Sequence, residues 1–185
     1  DLVPVGDDQL PHMELARKIV RRFNDLYGQI IKVPKELLSS TPRLPGIDGN
    51  SKMGKSLGNA IYLSDNKDTV IAKIKSALTD KNRIAVSDKG NPDICTVAFY
   101  HKAFNDEEYP DICDMCTNGK IGCVACKKAL YTKLNDTLDP FRERRSYYEQ
   151  HKNQVKDIIV SGTDRANTIG SDTILNVKEA MKICI

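Results

Sequence analysis

The sequence predicts an α/β fragment followed by an all-α region, with helix predominating. Three observations lead there. A short apolar stretch, "LVPVG" at 2–6, runs through a Gly-Asp-Asp turn into a long helical repeat. Residues 29–60 are rich in Gly, Pro, Asn and Ser and read mostly as loop. Beyond residue 65 apolar residues recur at helical spacing, and no segment there reads as a strand.

The elements follow in order. "LVPVG" is a strand ending at Gly6. From Asp7 to about Tyr27, Leu10, Met13, Leu15, Ile19, Phe23 and Leu26 repeat at helical spacing. Asp7 and Asp8 favour the helix N-terminus, Pro11 is tolerable in the first turn, and Gly28 ends the helix. Strand, tight turn and helix make one half-unit of an α/β nucleotide fold. A helical turn is expected after Pro34. Residues 65–78 form a helix with Val70, Ile71, Ile74 and Leu78 on one face. Asn91-Pro92 reads as a cap and first-turn proline opening a helix through Phe104. Helices follow at about 106–114, 123–138, 140–161 and 172–184, with Asp139-Pro140 and Gly162 punctuating the long pair. The division is residues 1–65, the α/β part with its loop, and residues 66–185, a helical domain.

Bulk properties narrow the class. A chain of 185 residues suits one medium domain, or one domain plus part of another. Lys+Arg of 28 against Asp+Glu of 25 gives +3, too mild to identify a nucleic-acid partner. No apolar run is long enough to span a membrane, and no signal peptide, low-complexity tract or repeat is present. A cytoplasmic globular protein without membrane association is the expectation. The chain opens "DLVPVGDDQ", without Met and with a strand at its second residue, so a preceding part is expected.

"GNSKMGKS", residues 49–56, fits the pattern of a P-loop. A P-loop needs a buried strand before it and a helix directly after. Pro42 and Pro45 argue against the strand, and Gly58 and Asn59 interrupt any helix begun at Lys55. The remaining reading is two lysines three apart, with Ser56, on a Gly-rich loop. It is either a solvated basic turn or a mobile loop carrying two ammonium groups to a polyphosphate. Such donors stabilise charge on a leaving pyrophosphate without covalent participation.

"KMGKS" resembles the KMSKS signature of class I aminoacyl-tRNA synthetases. "LVPVGDDQLPHMELARKIVRRFN" resembles the amino-acid-pocket strand and helix of tryptophanyl-tRNA synthetases. "PGIDGNSKMGKSLGNAIYLSD", "LDPFRERRSYYE" and "TILNVKEAMKI" are similar to later blocks of that family, in the same order. The resemblance spans essentially the whole chain. It implies the second half of a Rossmann-like catalytic domain followed by a helical anticodon-binding domain. The implied reaction uses ATP with Mg2+ to activate L-tryptophan as tryptophanyl-adenylate, then transfers it to tRNA(Trp). The complete enzyme would be a homodimer. The family's HIGH motif matches none of His12, His101 or His151, so this chain alone is expected to be inactive. Gly54 replaces the first serine of KMSKS. A glycine there also resembles tyrosyl-tRNA synthetases, the runner-up, although "VPVGDDQ" fits the tryptophan enzyme better. A third reading is a non-catalytic, metal-containing RNA-binding module, which would have no use for that strand and turn.

The resemblance assigns roles residue by residue. Val3 and Val5 would line the indole pocket, or equally face a core as alternate strand residues. Gly6 would let the backbone approach the nucleotide, or merely turn the chain. Asp8 would accept from ribose hydroxyls, or cap the helix. Gln9 would bind the amino-acid amine or ATP, or be solvated. Met53 would lie against adenine, or pack. Lys52, Lys55 and Ser56 would contact the triphosphate, with the two lysines catalytic.

Six cysteines occur, and "CDMCTNGKIGCVAC" places four of them in fourteen residues with Cys-x-x-Cys at each end. In a cytoplasmic chain a thiolate metal site is favoured over disulfides. Zinc would most simply take Cys113, Cys116, Cys123 and Cys126. Some bacterial tryptophanyl enzymes hold a 4Fe–4S cluster on a distant cysteine followed by Cys-x6-Cys-x2-Cys. Cys116, Cys123 and Cys126 match that run, and Cys95, twenty residues upstream on the preceding helix, would be the fourth ligand. That spacing is near the subgroup's but not equal to it. The cluster is the preferred expectation and Zn2+ the alternative. Finally, "PFRERRSYYEQHK" gathers Arg142, Arg144, Arg145, Tyr147, Tyr148 and Lys152 at an expected helix start. This is either a solvated face paired with Glu143 and Glu149 or a surface for RNA bases, and the resemblance implies anticodon recognition.

Overall fold

The computed structural model describes residues 2–39 and 44–183. Pro42 and Cys184 lie outside them. The protein is mostly helical with one small parallel sheet. It divides into two compact units, Asp1–Pro42 with Gln150–Ile185, and Arg43–Glu149.

The first unit opens with β1 (Leu2–Pro4), a 3₁₀ turn at Asp7–Gln9, and α1 (Leu10–Tyr27). Pro11 sits in the first helical turn, where its missing N–H costs nothing. Gly28, at φ +98°, ends the helix and donates its N–H to Asn24 O at 2.9 Å. The buried Asn24 amide closes the next turn, donating to Ile31 O at 2.7 Å and accepting the Ile30 and Ile31 N–H groups. β2 (Lys35–Leu37) then pairs in parallel with β1, Val3 opposite Glu36. Parallel pairing requires a crossover, which α1 supplies, so the segment is a single βαβ unit.

β2 corrects the helical turn expected after Pro34. Lys-Glu-Leu has no alternating pattern to announce a strand. Pairing with β1 makes it one, and the Val5 N–H extends the ladder to Leu37 O at 3.2 Å. Arg17 of α1 secures it, donating from Nε to Pro34 O at 3.0 Å and pairing with Glu36. The same unit contains α6 (Lys152–Ala180), which buries none of its residues.

The second unit packs α2 (Lys67–Ser76), α3 (Thr96–Phe104), α4 (Tyr109–Thr117) and most of α5 (Cys123–Gln150). Asn66 caps α2, accepting the Thr69 N–H at 2.8 Å. The core joins Val70 and Ile74 of α2, Val97 and Tyr100 of α3, and Leu130, Leu134 and Leu138 of α5. The three leucines lie four residues apart, hence on one face, each burial stabilising by about 1.5–3 kcal/mol.

Several helix boundaries differ from the sequence expectation: α2 stops at Ser76 instead of Leu78, α4 begins at Tyr109 instead of near 106, and three expected breaks move. The segment opened by Asn91-Pro92 is a 3₁₀ turn, Pro92–Ile94, that stops at Cys95, whose extended backbone caps α3. Cys95 therefore sits at a break, not within a helix. α5 runs through Pro140, and the break comes at His151. The leucine row carries the helix up to the proline. Arg142 then reaches back across it to Asn135 Oδ1 and Asp139 Oδ1, each at 2.8 Å. Gly162 likewise lies inside α6, which continues to Ala180.

Candidate functional site

The Lys52–Ser56 loop is organised by one buried side chain. Asn59 donates from Nδ2 to Lys52 O and to Asp48 Oδ1, each at 3.0 Å, and its Oδ1 accepts the Gly54 N–H at 3.0 Å. Asp48 in turn accepts the Asn50 N–H at 3.0 Å. Burial alone would push the Asp48 carboxyl up, but hydrogen bonds from Asn50 and Asn59 outweigh it and hold the carboxyl below its usual range. Gly46 is required beside them, because a Cβ there would strike the Asn59 amide. Beyond the loop a single 3₁₀ turn, Lys55–Leu57, ends at Gly58 with φ +65°. No helix follows Lys55, which excludes P-loop geometry. Lys52, Lys55 and Ser56 are exposed, whereas Met53 is half-buried against the core and lines an apolar cavity of about 120 Å³ with Tyr100, Leu134 and Leu138. The loop thus projects two ammonium groups and a hydroxyl from a braced base.

In the first unit Gly6, Asp8 and Gln9 share one turn. The Gln9 N–H donates to Gly6 O at 2.9 Å, and the Gln9 amide to Asp8 Oδ2 at 3.1 Å. A Cβ on Gly6 would come within 2.8 Å of Asp8 Oδ1, so glycine keeps this carboxylate close to the backbone. Asp8 and Gln9 are exposed, and Val3 and Val5 are half-buried.

Five cysteines, all free thiols, lie in the second unit. Cys95 caps α3, Cys116 lies on α4, and Cys123 and Cys126 open α5. Burial pushes the Cys126 thiol up to about 12, and charge on Cys95, Cys116 and Cys123 adds to the shift. Cys113, also on α4, follows Tyr109 by one turn, and its sulfur helps push the Tyr109 hydroxyl up to about 12. Among the described residues no group of three His, Cys, Asp or Glu side chains is arranged to hold a metal ion. A cation reaches one of these thiols. Arg83 donates from Nη1 to Cys116 Sγ at 3.4 Å, and its buried Nε has no partner among the described residues. His101, fully buried, lies with Nε2 3.1 Å from Cys126 O, while Asn105 donates to its Nδ1 at 3.2 Å, which places the proton on Nε2.

The three arginines of α5 divide. Arg142 is turned inward, bonded to Asn135, Asp139 and, from Nε, to Asp65 O at 2.8 Å. Arg145 pairs with Glu149 at 2.7 Å, and Arg144 is exposed.

Asn59, Asp48 and Arg83 escape sequence reasoning. Asn59 reads as a helix interrupter, and its role shows only when residues 48, 52 and 54 fold around it. Arg83 lies 33 residues from Cys116, and no local spacing links them.

The family model described as tRNA synthetases class I (W and Y) matches residues 1–139. The chain is 44% identical over 183 residues to the tryptophan–tRNA ligase of Aquifex aeolicus, covering 98% of this chain and 46% of that protein. It is 40% identical over 183 residues to that of Thermotoga maritima, covering 98% and 56%. The chain thus spans about half the length of the curated relatives it matches. A solved structure of Campylobacter jejuni tryptophanyl-tRNA synthetase, complexed with ADP and tryptophan, superposes with a TM-score of 0.73 at 26% identity. That superposition covers 98% of this chain and 57% of that one. With a family model matched over three quarters of its length, the chain belongs to the class I tRNA synthetases of the tryptophan and tyrosine group.

Proposed function

We propose that this chain is part of a tryptophan–tRNA ligase of the iron–sulfur subgroup. Residues 1–65 would belong to its Rossmann-like catalytic domain and residues 66–185 to its helical anticodon-binding domain. The observation that carries the reading is the Asn59-braced loop presenting Lys52, Lys55 and Ser56 to solvent. The names of the relatives favour tryptophan over tyrosine.

In the whole protein, working as a cytoplasmic homodimer, the tryptophan carboxylate attacks the α-phosphorus of Mg2+-bound ATP. The bond to the β-phosphate oxygen breaks, and pyrophosphate leaves. Lys52 and Lys55 meet charge as it grows on that leaving group, and Ser56 adds a hydroxyl donor. Met53 lies against adenine, Asp8 accepts from the ribose hydroxyls, and Gly6 lets the nucleotide approach the backbone. Val3, Val5 and Gln9 face the amino acid. A tRNA hydroxyl then attacks the adenylate carbonyl and releases AMP. Arg144 and Arg145 approach the anticodon arm, with Arg142 anchoring the helix that carries them. Cys95, Cys116, Cys123 and Cys126 would hold a 4Fe–4S cluster, which would brace the helices of the anticodon region rather than supply redox chemistry. Zinc is the weaker choice. A single Zn2+ would need four thiolates around one ion at about 2.3 Å, and among the described residues no three such side chains are gathered to hold one ion.

The test is ATP–pyrophosphate exchange by the whole protein. Tryptophan, and not tyrosine, should drive it. Lys55→Ala should lower the exchange rate about 100-fold while changing tryptophan affinity little, since the lysine acts on charge formed in the transition state. Equal losses in rate and affinity would make the loop a binding element only.

A further inference from the structure

We propose that Lys73 of α2 is a positioning residue for the loop at 52–56, its ammonium fixing the segment 60–65 that follows the loop's braced base. This rests on the ligase reading above.

Between the 3₁₀ turn at Lys55–Leu57 and α2 the chain belongs to no helix or strand, so its carbonyls need partners from elsewhere. Asn59 O accepts the Ile47 N–H at 2.9 Å. The next carbonyl, Ala60 O, accepts from Lys73 Nζ at 2.8 Å. The same ammonium reaches Asp65 Oδ2 at 2.6 Å and lies 4.5 Å from the centre of the Tyr62 ring. Asp65 Oδ2 also accepts the Tyr62 N–H at 2.8 Å, and the Asp65 N–H returns to Tyr62 O at 3.0 Å. One cation therefore ties both ends of this segment and the ring between them. Ala60 follows directly on Asn59, whose amide holds Lys52 O and the Gly54 N–H.

The grip is rigid on both sides. The Lys73 and Asp65 side chains are only 20% and 10% exposed, so water screens their pairing little. Val70 and Ile74, on the adjoining face of α2, are fully buried and hold the helix from which Lys73 starts. From α5, Arg142 Nε donates to Asp65 O at 2.8 Å. A carbonyl, a carboxylate oxygen and a ring face converge on a single point, which suits a compact ammonium better than the spread fork of an arginine. Apolar residues could supply comparable stability in place of a buried ion pair, but none could fix Ala60 O. Lys52 and Lys55 act through long flexible stems, so the reach of their ammonium groups is set by where the backbone beneath them stands.

The experiment uses the whole protein and rapid-quench measurement of tryptophanyl-adenylate formation at saturating ATP and tryptophan. The burst amplitude counts folded, competent sites, and the rate constant reads the step itself. Lys73→Met should keep the amplitude and the affinity for tryptophan while losing at least about tenfold in rate constant. Lys73→Arg, which keeps the charge, should recover part of that loss. Asp65→Asn should slow the step in the same direction. Combined with Lys73→Met it should lose less than the product of the two single losses, because both remove one interaction. Should Lys73→Met fail to fold, Asp65→Asn decides by the same split. A reduced amplitude with a wild-type rate constant would make the pair merely structural and overturn the proposal. Variants equal to wild type in both readings would overturn the role of Lys73 and leave the ligase reading standing. A wild-type protein that forms no tryptophanyl-adenylate would overturn both.

Discussion

Asn59 and Lys55 show how differently two residues of one site announce themselves. Lys52, Lys55 and Ser56 are legible in sequence because their chemistry is carried in their spacing. Asn59 is not, because an amide's role depends on which backbone groups surround it. Its replacement by alanine would leave the Gly54 N–H and Lys52 O without their partner in a mostly buried setting. That should cost about 1–3 kcal/mol of local stability. In the whole protein Asn59→Ala should lower the rate of adenylate formation about tenfold or more while sparing tryptophan affinity. Exchange kinetics beside a thermal melt would check it, and a lowered affinity with an unchanged rate would contradict it. Tyr100 gives a pH-dependent counterpart. Its hydroxyl donates to Pro45 O at 2.8 Å, and burial, aided by the Asp48 charge, pushes it up to about 12. The folded state keeps the phenol neutral, whereas an unfolded tyrosine ionises from about pH 10. Its contribution is therefore complete below pH 10 and is lost as pH rises toward 12. The melting temperature should fall across that window, and the fall should be shallower in Tyr100→Phe.

At the scale of elements, local signals hold wherever tertiary packing agrees with them. The helix after Asn66 is legible for that reason, with Val70 and Ile74 buried, whereas α1 and its Gly28 stop follow from local signals alone. β2 is not, since three residues without alternation acquire their state from a partner strand. Pro140 misleads in the opposite direction. Proline inside a helix costs about 3 kcal/mol, yet the leucine row on one side and Arg142 on the other keep α5 continuous. Arg142→Ala should therefore destabilise the fold by about 2 kcal/mol, seen as a lower melting temperature with reduced helicity. Arg144→Ala should leave the melt unchanged. Instead it should raise the Michaelis constant for tRNA several-fold at low salt, with the difference shrinking as salt screens phosphate contacts. If Arg144→Ala charged tRNA normally at every ionic strength, and Arg142→Ala melted like wild type, the division of labour along α5 would be wrong.

For the whole molecule, the exposed loop at residues 52–56 was readable from spacing. The metal centre that the cysteine spacing suggests is not gathered among the described residues. The grouping of residues 1–42 with 150–185 was not readable either, because no periodicity encodes which distant segments associate. That unit also exposes much of its apolar surface. Leu15, Ile19 and Leu26 of α1 are each more than half exposed. α6, with Ile158, Ile159, Val160 and Ile169 in water, buries none of its residues. Apolar surface of that extent marks a face for contact with another element or chain. Relatives about twice as long have the remaining chain with which to make them. The 185-residue chain alone should therefore bind a hydrophobic-surface dye and self-associate as its concentration rises. It should also give no tryptophan-dependent ATP–pyrophosphate exchange, because Lys52 and Lys55 can act only on a triphosphate already held in place. Sedimentation and exchange assays on the same preparation separate the two effects. A monomer that ignores the dye would show these helix faces to be self-sufficient, and exchange by this chain would mean that the turn at Gly6–Gln9 and the braced loop suffice to hold ATP.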